Sequence, residues 1–218
     1  MWHGGEDATA DWIVPGNPLL RLDFSGEASL PGQDDRVSVT EPALLEGCRR
    51  GDLSAFEELY RSHGARMKSL ACNILGNPAD AEDAVQEAFL RVYRGVGTFK
   101  GTAKLSTWMF RILVNTCHDV GRQRKRRKDE TELGPEERLP PATAQAPADT
   151  PLRLALERAV ARLRPRQRDV FLLYEVEGFL HREIAEILDI PEGTSKALLF
   201  EAKRALQSAL GDVRGRTQ

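Results

Sequence analysis

The chain has 218 residues with 33 acidic and 31 basic side chains, and its net charge of −2 produces no strong overall field toward nucleic acid or membranes. This length suits one large domain or two small ones. The cysteines at positions 48, 72 and 117 form no CxxC pair, which argues against a disulfide framework or zinc site and for a reducing cytosol. No apolar stretch approaches the roughly 20 residues of a membrane span, and no signal peptide is evident. We therefore expect a cytoplasmic protein without direct membrane insertion.

The first 40 residues differ in character from the rest of the chain. They are rich in glycine, proline, aspartate and serine without a hydrophobic period, so residues 1–40 are predicted to be a disordered extension. The alternative is a docking arm that uses Trp2, Trp12 or Phe24. From residue 41 the pattern becomes helical, and residues 41–128 are predicted to form a first helical domain.

Three long helices are predicted in this first domain. Apolar side chains that include Tyr60 recur at helical spacing over residues 53–75. A second helix, with Phe89 on its buried stripe, is predicted from 78 to about 94, because Asn-Pro is a typical helix start. A glycine-containing loop then leads to a third helix over about 106–127.

The second of these helices is predicted to present an acidic face. Asp80, Asp83 and Glu87 recur at helical spacing, and Gln86 is adjacent. Because an acidic surface repels DNA, its expected use is a protein partner with a basic surface. The alternative is that carboxylates such as Asp80 and Glu82 only favour the start of the helix through its dipole.

The third helix is predicted to contact nucleic acid. Six of the seven residues from 122 to 128 are cationic, and such a segment attracts phosphates regardless of base sequence. Polar residues at helical spacing share one face of the helix, and such a face could hold an unstacked base: Arg111, Asn115, His118 and Arg122. The alternatives are a solvated tail for the cationic run and a core position for Trp108.

The second half of the chain is predicted to contain a linker and a second helical domain. Prolines with small and acidic residues predict a flexible linker over 129–150, followed by a domain over 151–212 and a tail over 213–218. No stretch shows period-two alternation. The predicted fold class is therefore all-α, with two small helical domains joined by a flexible linker.

The second domain is predicted to contain a helix-turn-helix. After helices over 152–163 and 165–178, a short helix is followed by a tight turn at 189–193 and a longer helix to about residue 210. This arrangement suits insertion into a DNA major groove. The side chains expected to face outward are Lys196, Ala197, Phe200, Glu201, Lys203 and Arg204. The alternative is an ordinary helix pair with a solvated, charged face.

These segments together resemble the extracytoplasmic-function (ECF) group of bacterial sigma factors. In the first domain, the matching stretches lie within 51–60, at 80–89 (DAEDAVQEAF), at 99–101 (FKG) and within 106–115 (STWMFRI, then Asn115). In the second domain they lie at 163–168 (LRPRQR), 175–178 (EVEG), 183–185 (EIA) and 190–194 (IPEGT). The resemblance covers about residues 42–210 and includes two independent sets of motifs in the expected order.

The resemblance implies a role for each set of residues. It implies that RNA polymerase core, through the clamp helices of its largest subunit, binds the acidic face: Asp80, Asp83, Gln86 and Glu87. It implies that the promoter minus-ten element is read and melted by Lys100, Trp108, Arg111, Asn115, His118, Asp119, Arg122, Arg124 and Lys125. It implies that the minus-thirty-five element is read by Thr194, Lys196, Ala197, Phe200, Glu201, Lys203 and Arg204. Further implied partners are the polymerase flap and an anti-sigma factor, often membrane-bound. No cofactor or metal is implied.

One segment departs from the family pattern. After Gly-Thr the usual run is Val-Lys-Ser-Arg-Leu-Phe-Arg-Ala-Arg, whereas residues 195–203 here read Ser-Lys-Ala-Leu-Leu-Phe-Glu-Ala-Lys. Leu198 and Glu201 thus replace arginines, and Ala197 replaces a serine. Glu201 is expected to repel the DNA backbone or to prefer a cytosine amino group, so upstream recognition is weakened or altered. Our hypothesis is that Glu201→Arg strengthens general DNA binding by the second domain.

Two other classes of function are weighed against a sigma factor. A helix-turn-helix regulator that acts without polymerase core would bind duplex operators tightly by itself, whereas a sigma factor should bind specifically only with core. An enzyme is not expected, because the sequence has no phosphate-binding glycine loop, zinc-ligand spacing or nucleophile motif. The four histidines have no evident partners in the sequence: His3, His63, His118 and His181.

Overall fold

The computed structural model describes residues 41–131 and 151–214. The expectations for residues 1–40, for most of the linker and for the end of the tail lie outside the described residues. Every regular element within the described ranges is helical, and no strand occurs there, which confirms the all-α prediction.

Eight α-helices make up the two described ranges. In the first domain they are α1 (Glu41–Arg49), α2 (Leu53–Leu75), α3 (Pro78–Gly95) and α4 (Leu105–Thr131), with a 3-10 turn at Val96–Thr98. In the second domain they are α5 (Pro151–Arg162), α6 (Pro165–Phe171), α7 (His181–Leu188) and α8 (Glu192–Arg214), with a π turn at Leu172–Val176. The bounds predicted for α2 are confirmed, while α4 and α8 extend beyond their predicted ends.

Short polar side chains set the starts of α2 and α3. The carboxylate of Asp52 accepts a hydrogen bond of 2.9 Å from the Ser54 N–H. The side-chain oxygen of Asn77 accepts from the N–H groups of Ala79 and Asp80, at 2.9 and 3.2 Å. Both caps satisfy donors that have no partner within the first helical turn, and each contributes about 1 kcal/mol to stability.

The core of the first domain lies between α2, α3 and α4. Its largest fully buried side chains include Leu59, Met67, Leu70, Val92, Met109 and Phe110. Cys117 is buried in the same core, and burial raises the pKa of its thiol to about 12. All three cysteines are free thiols in this structure.

The second domain forms the predicted helix-turn-helix from α7 and α8. Asp189 has a left-handed backbone with φ of +54°, which ends α7 and turns the chain toward α8. The helix predicted over 165–178 is interrupted, because it widens into the π turn before Gly178, whose φ is +74°. No feature of the sequence predicted this widening.

The second domain packs against the first in this structure. Helix α7 contacts α4, while α6 and the π turn contact α2. Phe110 and Phe179 meet edge to face, with ring centres 4.9 Å apart. Arg66 donates to the carboxylate of Glu177 at 3.0 Å and to its backbone carbonyl at 2.8 Å, and the Glu177 side chain is only 3% exposed. A buried carboxylate with a cationic partner is costly to leave unpaired, so this contact fixes how the domains meet.

Candidate protein and nucleic-acid interfaces

The predicted acidic face lies on α3 as expected, but arginines neutralise part of it. Asp83 and Gln86 are exposed. Arg124 of α4 lies 3.3 Å from the carboxylate of Asp80, and Arg91 lies 2.8 Å from that of Glu87. The sequence did not reveal the first pair, because its two residues are far apart in the chain. Exposed ion pairs of this kind are weak, so a partner with a more favourable cation can displace them.

The acidic residues share a groove with cationic residues of α4. The walls of this groove between α3 and α4 include Asp80, Asp83, Glu87, Asp119 and Arg124. Asp119 also lies 3.5 Å from Arg91 and forms an ion pair with Arg122. Residues that the family resemblance assigns to polymerase binding and residues that it assigns to DNA binding therefore line the same groove. The two predicted interfaces are continuous on this side of the first domain.

An exposed aromatic patch extends the surface of α2 and α3, and the sequence analysis missed it. Tyr60, Leu90 and Tyr93 are each about half exposed. The rings of Tyr60 and Phe89 are 4.9 Å apart, and those of Phe56 and Tyr93 are 4.7 Å apart. Phe89, which was predicted to lie on a buried stripe, is only half-buried, and Tyr60, which shares the helical spacing of the apolar residues of α2, is exposed. Exposed tyrosine side chains are enriched at protein-binding surfaces.

A pocket at the start of α4 collects three of the residues assigned to the minus-ten element. It is lined by Lys100, Trp108 and Arg111, together with Thr107. Trp108 is half-buried and packs against Phe99 with ring centres 5.0 Å apart, so it lies at the pocket wall and not deep in the core. An aromatic ring beside cations is the combination that holds an unstacked base.

Thr107 gives the pocket a polar group that the sequence analysis did not single out. Its side chain is 2% exposed, and its hydroxyl has no hydrogen-bond partner among the described residues. By contrast, the hydroxyl of Thr116 on the same helix donates to the backbone carbonyl of Ile112 at 2.8 Å. An unpaired buried hydroxyl is costly, so Thr107 is a destabilised position in the wall of the pocket.

The second domain places carboxylates opposite the cations of α4 and its preceding loop. Glu186 of α7 lines the same pocket as Arg111. Lys104 lies 3.0 Å from the carboxylate of Glu183, and His118 lies 2.9 Å from that of the buried Asp169. The predicted minus-ten surface is thus partly covered within this chain, which the sequence did not reveal. Asn115, Arg122 and Lys125 remain exposed.

Most residues assigned to the minus-thirty-five element lie on the open face of α8. The exposed members are Thr194, Lys196, Ala197, Phe200, Glu201 and Arg204, and the Phe200 side chain is 63% exposed. Lys203 is apart from this set, because it turns inward to form a 2.8 Å ion pair with Glu175. The guanidinium of Arg204 lies 5.8 Å from the Phe200 ring centre, a cation–π distance.

A histidine and a serine join the two helices of the helix-turn-helix. The ring of His181 at the start of α7 lies 2.9 Å from the hydroxyl of Ser195, which is fully buried in α8. His181 also stacks on Tyr174, with ring centres 4.6 Å apart. Burial lowers the pKa of His181, and the nearby Lys196 ammonium lowers it further. Ser195, which replaces the valine of the family pattern, therefore has a structural role.

The structure corrects the expectation that the histidines lack partners. His118 pairs with Asp169 and His181 with Ser195, whereas His63 is buried without a partner for Nδ1 in the described ranges. Within those ranges, no cluster of histidine, cysteine or carboxylate side chains has the arrangement of a metal site. Nor does any described helix combine the length and apolarity that crossing a bilayer requires.

The family model of sigma-70 region 2 matches residues 59–127, and that of sigma-70 region 4 matches residues 153–206. The ECF sigma factor SigM of Mycobacterium tuberculosis is 33% identical over 180 residues, which cover 83% of this chain and 89% of that protein. Two solved structures have a similar fold. One is CnrH in complex with the cytosolic domain of CnrY, which is 20% identical with a TM-score of 0.61 and aligns over 79% of this chain and 98% of that chain. The other is the sigma factor RpoE in complex with the anti-sigma factor NepR from Bartonella quintana, which is 22% identical with a TM-score of 0.63 and aligns over 72% of this chain and 96% of that chain. The chain belongs to the ECF family of RNA polymerase sigma factors, which are transcription initiation factors and not enzymes.

Proposed function

We propose that the acidic face of α3 binds the clamp helices of the largest polymerase subunit, while the pocket at the start of α4 captures a flipped non-template base of the minus-ten element. Helix α8 then reads the minus-thirty-five element in the major groove, and the second domain also contacts the polymerase flap. The observation that carries this proposal is the pocket. It combines the half-buried indole of Trp108 with the cations Lys100 and Arg111.

The aromatic patch beside the acidic face supports a protein partner at α3. Carboxylates give orientation and rapid association, whereas Tyr60, Leu90 and Tyr93 offer the apolar area that makes contacts energetically important. A basic partner would also compete with Arg124 for Asp80 and with Arg91 for Glu87. Polymerase binding would then release these arginines toward DNA phosphates.

The packing of the second domain on α4 supports weak DNA binding by the chain alone. The carboxylates of Glu183 and Glu186 lie where DNA phosphates would approach Lys104 and Arg111. For DNA to reach the pocket, the domains must separate, and binding to polymerase at two distant points would hold them apart. This distinguishes the proposal from a helix-turn-helix regulator that binds operators without core. We further propose cytoplasmic location and control by an anti-sigma factor.

The test is to add the full chain to sigma-free polymerase core and to sequence the transcripts started from genomic DNA. Initiation at a defined promoter set is expected. The double variant Asp83→Lys with Glu87→Lys should abolish holoenzyme assembly, measured by core pull-down. Glu58→Lys is the matched control, because Glu58 is a carboxylate of α2 that pairs locally with Arg61. If the double variant assembles normally, or if initiation with the chain is random, the proposal is wrong.

A further inference from the structure

The carboxylate that replaces a family arginine on α8 is held in place by a residue of another helix. The amide nitrogen of Gln167, near the start of α6, donates a 2.8 Å hydrogen bond to one carboxylate oxygen of Glu201. Gln167 is 7% exposed, whereas Glu201 lies on the open face of α8. This hydrogen bond restricts the orientation of the Glu201 carboxylate relative to the rest of the domain.

The orientation of Gln167 is itself fixed. Its side-chain oxygen accepts a hydrogen bond of 3.3 Å from the backbone N–H of Arg164, at the start of α6. If the amide were reversed, its NH₂ group would face that N–H and its oxygen would face the carboxylate of Glu201. Both contacts would be repulsive. The capping interaction therefore determines that Gln167 presents a donor to Glu201.

The cations of α8 that are close to Glu201 in the sequence interact with other groups. Lys196 lies 2.7 Å from Glu192, Lys203 lies 2.8 Å from Glu175, and Arg204 stacks over Phe200. The partner of Glu201 is a neutral amide, which orients the carboxylate without cancelling its charge. Within the described residues, its second oxygen has no hydrogen-bond partner and is available to a ligand.

The base edges of the major groove differ in what they offer a carboxylate, which only accepts hydrogen bonds. Guanine presents two acceptors, and thymine presents an acceptor and a methyl group, so both disfavour it. Adenine presents an amino donor, but its N7 acceptor lies beside that donor. Cytosine presents its N4 amino group without a neighbouring acceptor, and a glutamate therefore suits cytosine best.

We propose that Glu201 makes this sigma factor select a cytosine in the upstream promoter element, and that Gln167 is the positioning residue that holds its carboxylate. This inference rests on the proposed role of α8 in reading the minus-thirty-five element. In this proposal, the replacement of the family arginine by Glu201 does not only remove a phosphate contact but also adds a contact with a base. A contact of this kind discriminates against the wrong base by about five- to tenfold.

The experiment uses holoenzyme reconstituted from the full chain and polymerase core. A promoter library with a fixed downstream element and a randomised upstream element is transcribed, and the transcribed templates are sequenced. The natural chain should enrich cytosine at one upstream position by about five- to tenfold. Glu201→Gln should move the preference at that position toward adenine, because a glutamine amide pairs with both the N6 and N7 of adenine. Glu201→Arg should move it toward guanine.

Gln167→Met is the test of positioning, because methionine has a similar size but cannot hold the carboxylate. It should weaken the cytosine preference several-fold without moving it to another base. Gln207→Met, which makes the same replacement at an exposed glutamine farther along α8, is the matched control and should leave the base preference unchanged. Thermal unfolding of each variant measures its structural effect.

Each outcome separates the alternatives. A base preference that is the same in the natural chain, Glu201→Gln and Glu201→Arg overturns the role of Glu201. Lower thermal stability of Gln167→Met with an intact cytosine preference shows that Gln167 is only structural, and it overturns the positioning role. If no holoenzyme initiates specifically on any template, the failure lies with the proposed function and not with base selection.

Discussion

The two predicted DNA-reading helices differ in their accessibility. Helix α8 presents an open face on which Phe200 is exposed, and its charged side chains pair with groups of their own domain. At the start of α4 lies a concave pocket that Glu186 of the other domain also lines, and Lys104 of the preceding loop pairs with Glu183 of that domain. This difference suggests that duplex reading by α8 is possible in the closed chain, whereas base capture at α4 requires the domains to separate.

Among the changes that bear on this comparison, the largest effect is expected at the pocket of α4. Trp108→Ala should lower open-complex formation by holoenzyme about five- to 100-fold, because base–aromatic stacking contributes about 1–3 kcal/mol per base. The measurement is permanganate reactivity of unpaired thymines on a promoter. Trp108→Phe keeps an aromatic ring beside Phe99 and should recover most of the activity. Equal melting by the alanine variant would mean that the pocket does not hold a base.

The packing of the second domain against the first can be weakened by a substitution at Arg66. Arg66→Met leaves the buried carboxylate of Glu177 without its cation, which costs about 1–3 kcal/mol and is relieved if the domains part. The chain alone should then bind a single-stranded minus-ten oligonucleotide several-fold more tightly, measured by fluorescence anisotropy. Arg61→Met removes an exposed arginine from the same helix and should change nothing. Identical affinities of the two variants would contradict the covering role of the second domain.

A smaller effect is expected on the open face of α8. Glu201→Arg replaces a negative charge with a positive one and should strengthen general duplex binding by the second domain a few-fold. The slope of log K against log salt should become steeper by about one, since one further phosphate is neutralised. Unchanged or weaker binding across a salt series would contradict the hypothesis.

The smallest effect concerns one histidine in each domain, the buried His63 and the partly buried His181. Burial, followed by the charge of Arg66, lowers the pKa of His63, and burial, followed by Lys196, lowers that of His181. A depressed histidine pKa means that the unfolded chain binds more protons, so stability should fall as the pH drops below about 6.5. His63→Leu should reduce this loss, measured by denaturant unfolding at several pH values. An unaltered pH dependence would show that His63 does not contribute.

The sequence predicted local structure well because period and capping are local signals. The bounds of α2, the cap at Asn77 and the tight turn that ends α7 all follow from neighbouring residues. The pairs His118–Asp169 and Arg124–Asp80 could not be predicted, since a helical period shows which face is buried but not which helix covers it. The pocket was predicted in part: Lys100, Trp108 and Arg111 were identified, whereas Thr107 and Glu186 were not.

The buried thiol of Cys117 offers a practical consequence. With its pKa raised to about 12, this sulfur stays protonated at neutral pH and is shielded from alkylating reagents in the native state. It reacts only when the core of the first domain opens, whereas Cys72 is nearer to solvent. The rate at which Cys117 is labelled therefore measures how often the core around α4 opens, without any engineered probe. Comparing that rate before and after polymerase is added would show whether the core of the first domain is more rigid or more mobile in the state that melts promoters.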